Sequence, residues 1–126
     1  MARILVADDE DDIRVLVARA LALDGHDVET APDGAQALEL LSSFDRGFDL
    51  LLTDIRMPVM DGVALALATA RDHPDVAIVM MTGFADQRER ASNLDALIHA
   101  VVAKPFSLAT VRCAINDALA FNAARA

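Results

Sequence analysis

The sequence predicts an α/β protein built on a doubly wound parallel sheet of five strands. Short apolar stretches alternate five times with segments of helical periodicity, and only short turns separate them. The clearest stretch, residues 50–54, begins as an unbroken apolar run and ends at Asp54, which is typical of a strand buried on both faces. Pro58 and the pair Asp61-Gly62 then break the pattern and mark a loop. Asp54 is therefore predicted at the carboxyl end of a central strand, where open α/β sheets hold their functional sites.

The first half of the chain is predicted to contain three strands and two helices. The strands are predicted at residues 3–7, 26–30 and 48–53, and the second helix at residues 35–44. The first helix is predicted to end near Gly25. Apolar residues recur with helical spacing, and those predicted to face the core are Ile13, Leu16, Val17, Ala20 and Leu21 in the first helix and Ala37, Leu38, Leu41 and Phe44 in the second.

The second half continues the alternation but includes one weak segment. A third helix is predicted at residues 62–72 and a fourth strand at residues 76–81. Residues 84–96 contain few large apolar groups, so a fourth helix there would gain little from packing. A fifth strand is predicted at residues 97–103, and Ser107 is predicted as the N-cap of the last helix. The inner face of that helix is predicted to hold Leu108, Val111, Ile115 and Leu119.

Composition and charge exclude several classes of protein. The chain has 126 residues, of which 55% are hydrophobic, so we expect one globular domain of ordinary size over residues 1–126 without a linker or second domain. The net charge of −9 repels phosphate backbones and disfavours nucleic-acid binding. The single cysteine excludes an internal disulfide. The first strand follows Met1 directly and no apolar run reaches membrane-spanning length, so we expect a cytoplasmic protein without membrane contact.

Polar residues follow four of the predicted strands. Asp8 and Asp9 follow the first strand, Asp54 ends the third, Thr82 follows the fourth and Lys104 follows the fifth. The carboxyl ends of parallel strands meet at one edge of a sheet, so these groups are predicted to share one crevice. Three neighbouring carboxylates repel one another, and oxygen ligands of this kind suit Mg²⁺. With a lysine and a hydroxyl beside the metal, the simplest chemistry is attack of the aspartate on phosphorus to give an acyl phosphate.

Each of these residues, taken alone, also has a structural explanation. The acidic run at residues 8–12 is typical of a solvated helix start, where the helix dipole favours negative charge. Asp54 and Thr82 would then be ordinary strand-end residues, and Lys104 a surface charge. Their joint position at four strand ends favours a functional site.

The motifs in this order resemble the receiver domain of bacterial two-component response regulators over essentially the whole chain. Each motif alone is weak, but four in this order and at this spacing are specific. The matching residues are Asp8-Asp9, Thr53-Asp54-Ile55-Arg56-Met57-Pro58-Val59-Met60-Asp61-Gly62, Thr82-Gly83 and Lys104-Pro105-Phe106.

The resemblance implies a flavodoxin-like (βα)5 fold with strand order 2-1-3-4-5. It implies that Asp54 accepts a phosphoryl group from a histidine kinase or a histidine phosphotransfer protein. It also implies that Asp9 and Asp54 bind Mg²⁺ directly, that Asp8 acts through water, and that the carbonyl of Arg56 is a further ligand. Such a domain is not an enzyme acting on a separate substrate and catalyses only its own phosphorylation and dephosphorylation.

The resemblance also assigns the response to phosphorylation. Thr82 and Lys104 would bind the phosphoryl oxygens, and the Lys104–Pro105 bond would be cis. The output to a downstream target protein would leave through the fourth helix, fifth strand and fifth helix. Many receivers carry an aromatic residue three positions before the lysine, whereas this chain has Val101, so an aromatic rotamer switch is not expected.

Two further side chains have structural interpretations. His99 is predicted to be an exposed or edge residue of the fifth strand rather than a ligand. Cys113 is predicted to be a small core residue of the last helix.

Three other functions remain as alternatives. A small phosphate-ester hydrolase would use Asp54 as the nucleophile, but it would need a second acid close to it in the chain, and Arg56 does not qualify. A receiver that primes a regulated protease would act mainly as a binding module. A metal-free interaction module would have lost an acid, Thr82 or Lys104, and none is lost.

Overall fold

The computed structural model describes residues 2–43, 47–83, 94 and 96–125. Strands and helices alternate along the chain. The strands are β1 (Arg3–Ala7), β2 (Asp27–Ala31), β3 (Leu50–Asp54), β4 (Ala77–Thr82) and β5 (Ala100–Ala103). The helices in the described residues are α1 (Asp11–Leu23), α2 (Gly34–Ser43), α3 (Gly62–Asp72) and α4 (Leu108–Arg125), the last being the fifth helix predicted from the sequence.

All strand pairs are parallel, and the sheet order is β2-β1-β3-β4-β5. The predicted doubly wound sheet and its strand order are therefore confirmed. The chain direction across the sheet reverses at β1, so β1 and β3 flank the switch point where such sheets bind ligands. Asp54 pairs with Met81, and Thr82 pairs with Ala103. This register brings the carboxyl ends of β3, β4 and β5 to the same edge.

Strand residues alternate between two core layers because successive side chains point to opposite faces. Ile4, Val6 and Leu52 pack with α1 and α4, whereas Leu5 and Leu51 pack with α2 and α3. Every residue of β3 is buried, as the unbroken apolar stretch predicts for a strand covered on both faces. β3 is thus the rigid centre of the molecule, and Asp54 ends it.

Hydrogen bonds at the helix starts show which residues set them. The hydroxyl oxygen of Ser107 accepts a bond from the Thr110 amide at 3.1 Å, so the predicted cap of the last helix is confirmed. Asp61 caps α3 through the Ala64 amide at 2.9 Å. α3 also has the predicted bounds. None of the helices in the described part of the chain combines the length and the apolar composition needed to cross a bilayer.

Several predicted details differ from the structure. β5 has four residues instead of the seven predicted at 97–103, because a turn precedes it in which the amide of Leu97 donates to the carbonyl of Leu94 at 2.7 Å. β2 is shifted by one residue, and β3 and β4 also begin later than predicted. Residues 84–93 and 95 of the helix predicted at 84–96, and the inward position of Phe44, lie outside the described residues, whereas Leu94 and Ala96 lie in turns.

Two side chains predicted in the core are exposed. Leu16 is 53% exposed because the buried stripe of α1 is centred on Val17, Ala20 and Leu21, and neighbouring helical residues are about 100° apart. Cys113 is also exposed, since it lies about 200° around α4 from the buried Val111. His99 is exposed as predicted, and its ring lies 5.3 Å from that of Phe121.

The loop after β3 contains a strained turn at Val59. The φ angle of this valine is 69°, and the amide of Met60 donates to the carbonyl of Pro58 at 2.7 Å, as in a γ-turn. The carbonyl of Met60 in turn accepts a bond from the Gly34 amide at 3.1 Å, which joins the loop to the start of α2. The Val59 side chain is 86% exposed, so the strain is not offset by burial of that side chain.

Val59→Gly is expected to raise the free energy of unfolding by about 1 kcal/mol. Glycine adopts positive φ without strain, which is worth roughly 1–3 kcal/mol, and this gain exceeds the added flexibility of the unfolded chain. Chemical denaturation measures the change. Val101→Gly is the control, because Val101 lies in regular strand, and it should destabilise the protein. A loss of stability in Val59→Gly would show that the turn is unstrained.

Candidate functional site

Asp54 is the last residue of β3 and is 5% exposed. One carboxylate oxygen, Oδ1, accepts the amide of Ile55 at 2.8 Å, which leaves Oδ2 to face the crevice. The amide of Gly62 donates to the carbonyl of Ile55 at 2.7 Å, so the start of α3 lies directly against this strand end. A Cβ atom on Gly62 would lie 1.9 Å from the carbonyl oxygen of Asp54. Glycine at position 62 is therefore required for the close approach that holds Asp54 in place.

Asp8 and Glu10 follow β1 on the neighbouring side of the crevice. Asp8 is fully buried, and its Oδ1 accepts the amide of Glu10 at 2.9 Å. Arg14 holds the same segment by donating to the carbonyl of Asp8 at 2.7 Å. Glu10 is the N-cap residue of α1 and has extended backbone angles, φ −83° and ψ 109°. Side chains two positions apart in extended chain share a face, so Glu10 points to the same side as Asp8.

Lys104 joins these acids from the end of β5. Its ammonium nitrogen lies 3.1 Å from Oδ2 of Asp8, 3.2 Å from Oδ2 of Asp54 and 3.5 Å from Oε1 of Glu10. The backbone amide of Lys104 donates to the carbonyl of Thr82 at 2.6 Å. The Lys104–Pro105 bond is cis, as the family resemblance implied. One lysine thus forms ion pairs with three carboxylates, which lie at or just after the ends of strands distant from it in the sequence.

Thr82 contributes a hydroxyl group that has no partner among the described residues. The residue is 1% exposed, and its Oγ1 is buried. A buried hydroxyl without a hydrogen bond is unfavourable by roughly 1–3 kcal/mol, so such groups are rare unless they serve a ligand. Thr82 ends β4 next to β3, which makes this hydroxyl a donor for an oxygen-rich group at the edge of the sheet.

The charges in the crevice are poorly balanced. Burial raises the pKa of Asp54, and the neighbouring Asp8 adds to this rise while Lys104 opposes it. Burial also raises the pKa of Asp8, against the opposing effects of its bond to the Glu10 amide and of Lys104. For Lys104, burial lowers the pKa, but the charges of Asp54 and Asp8 outweigh burial and raise it. Ionised acids are therefore held in the folded protein at a free-energy cost.

The crevice fits a small divalent cation. One carboxylate oxygen from each of Asp8, Glu10 and Asp54 lies within 4.8 Å of the others, and all are hard oxygen donors of the kind that Mg²⁺ prefers. The single charge of Lys104 offsets only one of the three negative charges. A divalent ion would neutralise the remainder, so the donor set and the charge both fit Mg²⁺.

The structure brings Asp8, Asp54, Thr82 and Lys104 to the same edge, as predicted. Asp9 is exposed and is not one of the three clustered acids, and the side chain of Arg56 is also exposed; their roles as metal ligands stay predictions. Sequence reasoning missed Glu10. The signal for it was its position two residues after Asp8 at a strand-to-helix junction, where the backbone is extended and side chains alternate.

Residues 4–116 match the family model described as response regulator receiver domain. The chain belongs to this receiver family. The resemblance inferred from the motifs is therefore confirmed, and the fold agrees with solved receivers. A receiver domain from Clostridium thermocellum superposes with a TM-score of 0.90 at 25% identity and covers all of both chains. TrrA of Thermotoga maritima, solved in complex with Mg²⁺-BeF, has a TM-score of 0.82 at 30% identity over 93% of this chain and 98% of its own.

Two curated relatives show how this receiver compares with whole proteins. The response regulator receiver protein CpdR of Brucella abortus is 40% identical over 86% of this chain and 88% of its own length. The sensor kinase CckA of the same organism is 33% identical over 94% of this chain, but the match spans only 12% of that protein. Receiver segments of this kind therefore occur both in short proteins and within much longer ones.

Proposed function

We propose that this receiver domain is a phosphoacceptor switch in which Asp54 takes a phosphoryl group from a histidine kinase or a histidine phosphotransfer protein. The observation that carries the proposal is the geometry around Asp54. This residue ends β3, in which every residue is buried, and its Oδ2 lies 3.2 Å from the Lys104 ammonium. The similarity to part of the sensor kinase CckA supports a kinase as the phosphoryl source. We propose the whole of residues 1–126 as the receiver unit.

The transfer is a single in-line displacement at phosphorus. Oδ2 of Asp54 attacks phosphorus in line with the bond to the donor histidine nitrogen, and that bond breaks with its electron pair returning to the imidazole. The product is an acyl phosphate on Asp54. Lys104 then moves from the carboxylate to the new phosphoryl oxygens, and the buried hydroxyl of Thr82 donates to another of them.

Mg²⁺ held directly by Asp54 and Asp9, with Asp8 acting through water, would offset the negative charge that gathers in the crevice. The carbonyl of Arg56 is proposed as a further ligand. Asp8 is rigidly placed, since its amide donates to the carbonyl of Ala31 at 3.1 Å and its carbonyl accepts from Arg14. The acids therefore supply a preformed set of oxygens.

Incubation of the protein with acetyl phosphate and Mg²⁺ is expected to add one phosphoryl group, visible by intact mass spectrometry. The adduct should be absent from Asp54→Asn, because the amide is not a nucleophile toward phosphorus, and it should be lost in excess chelator. Asp61→Asn is a matched control, since this carboxylate caps α3 in the same loop and is not one of the three clustered acids. A phosphoryl group that persists in Asp54→Asn, or that forms equally well without metal, would contradict the assignment.

The similarity to CpdR over most of its length favours a second, related candidate. In this candidate the phosphorylated receiver acts mainly by binding, for example as an adaptor of a regulated protease. We propose that the output surface includes β5 and α4, which follow Thr82 in the structure and lie against each other. A pull-down with unphosphorylated and phosphorylated receiver captures the partner, and the fate of the phosphoryl group then distinguishes a relay protein from an adaptor. A relay protein would pass the phosphoryl group to a histidine of its partner, whereas an adaptor would keep it.

A further inference from the structure

The ammonium group of Lys104 is shared unequally among its three acids. The carboxylates of Asp8 and Asp54 lie at 3.1 and 3.2 Å, whereas that of Glu10 lies at 3.5 Å, the limit of a hydrogen bond. The side chains of Asp8 and Asp54 are 0% and 7% exposed, but that of Glu10 is 59% exposed. Glu10 is thus the weakest-held partner and has solvent into which it can turn.

The other two acids are each fixed by a second bond. Oδ1 of Asp8 accepts the Glu10 amide, and Oδ1 of Asp54 accepts the Ile55 amide. Among the residues that the structure describes, the carboxylate of Glu10 bonds only to Lys104. Its position therefore depends on the charge of that lysine, and it lies on the solvent side of the buried pair.

We propose that Glu10 is a positioning residue that makes Asp54 selective for the charge of its phosphoryl donor, an inference that rests on the proposed function. Before transfer, Glu10 holds Lys104 from the solvent side and places a negative charge where a donor enters. When a phosphoryl group arrives, its oxygens take Lys104, and Glu10 must leave toward solvent. A donor with two negative charges meets more repulsion there than a donor with one.

Chemistry divides the donors into two classes. Acyl phosphates carry two negative charges at neutral pH, whereas phosphorus bound to a protonated nitrogen, as in phosphoramidate, carries less net negative charge. Phosphohistidine joins the second class when the ring nitrogen that carries no phosphorus is protonated, because the imidazolium charge then offsets one of the two phosphoryl charges. Glu10 would thus favour phosphohistidine proteins over small acyl phosphates from metabolism.

The test compares Glu10→Gln with the unmodified protein at saturating Mg²⁺, with acetyl phosphate and phosphoramidate as the two donors. The rate of phosphorylation, followed by intact mass, should rise about fivefold with acetyl phosphate, the scale of one exposed charge contact, and less than about twofold with phosphoramidate. Asp12→Asn is the control, because it removes an exposed acid in the first turn of α1. That variant should leave the ratio of the two rates unchanged.

Equal acceleration of phosphorylation with both donors would overturn the inference. The same change in the ratio of the two rates in Asp12→Asn would also overturn it, since the net charge of the protein would then explain the effect. Calorimetric titration with Mg²⁺ supplies a readout besides phosphorylation. A severalfold loss of Mg²⁺ affinity in Glu10→Gln would place Glu10 on the metal with Asp8 and Asp54, near which its carboxylate lies, and would also overturn the inference. If the unmodified protein accepts no phosphoryl group from either donor, the proposed function fails and the inference with it, whereas phosphorylation of Asp54 without donor dependence overturns the inference alone.

Discussion

Replacing Gly62 with alanine is expected to destabilise the protein by about 3 kcal/mol or more. The added Cβ would lie 1.9 Å from the carbonyl oxygen of Asp54, 2.8 Å from its carbonyl carbon and 2.9 Å from Cα of Ile55. These are backbone atoms at the end of the central strand, so they cannot rotate away as a flexible side chain would. To make room for the added Cβ, either α3 moves off the sheet or the end of β3 bends.

Chemical denaturation of Gly62→Ala measures the loss. Gly25→Ala is the matched control, because its φ of 92° makes alanine strained but no atom lies within 4 Å of the added Cβ. The control should lose only about 1 kcal/mol, the cost of a left-handed backbone for a residue with a side chain. If Gly62→Ala is no less stable than Gly25→Ala, then α3 does not hold Asp54 by close packing.

Asp54→Asn is expected to raise the stability of the metal-free protein by about 1 kcal/mol, or roughly 4 °C in melting temperature. The folded state raises the pKa of Asp54 above its ordinary value of 3.8, so it binds protons more tightly than the unfolded chain does. The contribution of Asp54 to stability is then greatest below its unfolded-state pKa and is lost as the pH rises through the raised pKa. A neutral amide removes this loss, and the pH profile of Asp54→Asn should be flatter than that of the unmodified protein.

With Mg²⁺ bound, the unmodified protein should be more stable than Asp54→Asn. At a hundredfold excess over its dissociation constant, a ligand that binds only the folded state adds about 2.7 kcal/mol, and this gain should be much smaller in Asp54→Asn. Asp9→Asn is the second variant to compare with Asp54→Asn. Asp9 is exposed, so its removal should change metal-free stability by less than about 0.5 kcal/mol, while a lower Mg²⁺ response would support its predicted role as a ligand. Metal-free Asp54→Asn that is less stable than the unmodified protein would show that the carboxylate is structural.

The doubly wound parallel sheet and the converging polar residues could be predicted because they depend on strong local patterns, whereas the strand order was implied by the resemblance to the receiver family. The unbroken apolar stretch of β3 and the abrupt carboxylate at Asp54 leave few other arrangements, and parallel topology then brings Thr82 and Lys104 to the same edge. The motifs around these residues then indicated the receiver family. Neither step needs a knowledge of side-chain packing.

Other features depend on geometry that the sequence pattern does not contain. Cys113 and Leu16 are apolar enough for a core, but the buried stripe of each helix is narrower than the apolar pattern suggests. Glu10 was overlooked because the acidic run looks like an ordinary helix start, and only the extended backbone at its junction with β1 turns that side chain toward Lys104. The strain at Val59 likewise appears only once the loop is built.

A crystal structure of the protein with Mg²⁺ and beryllofluoride, the complex in which TrrA was solved, would test the assignment of Asp54 most directly. We expect beryllium bonded to Oδ2 of Asp54, fluorine atoms in contact with the Lys104 ammonium and the Thr82 hydroxyl, and Mg²⁺ on the carboxylates beside them. Glu10 should have turned away from Lys104. Beryllofluoride on another residue, or bound at Asp54 without contact to Lys104 and Thr82, would contradict the proposed phosphoacceptor site.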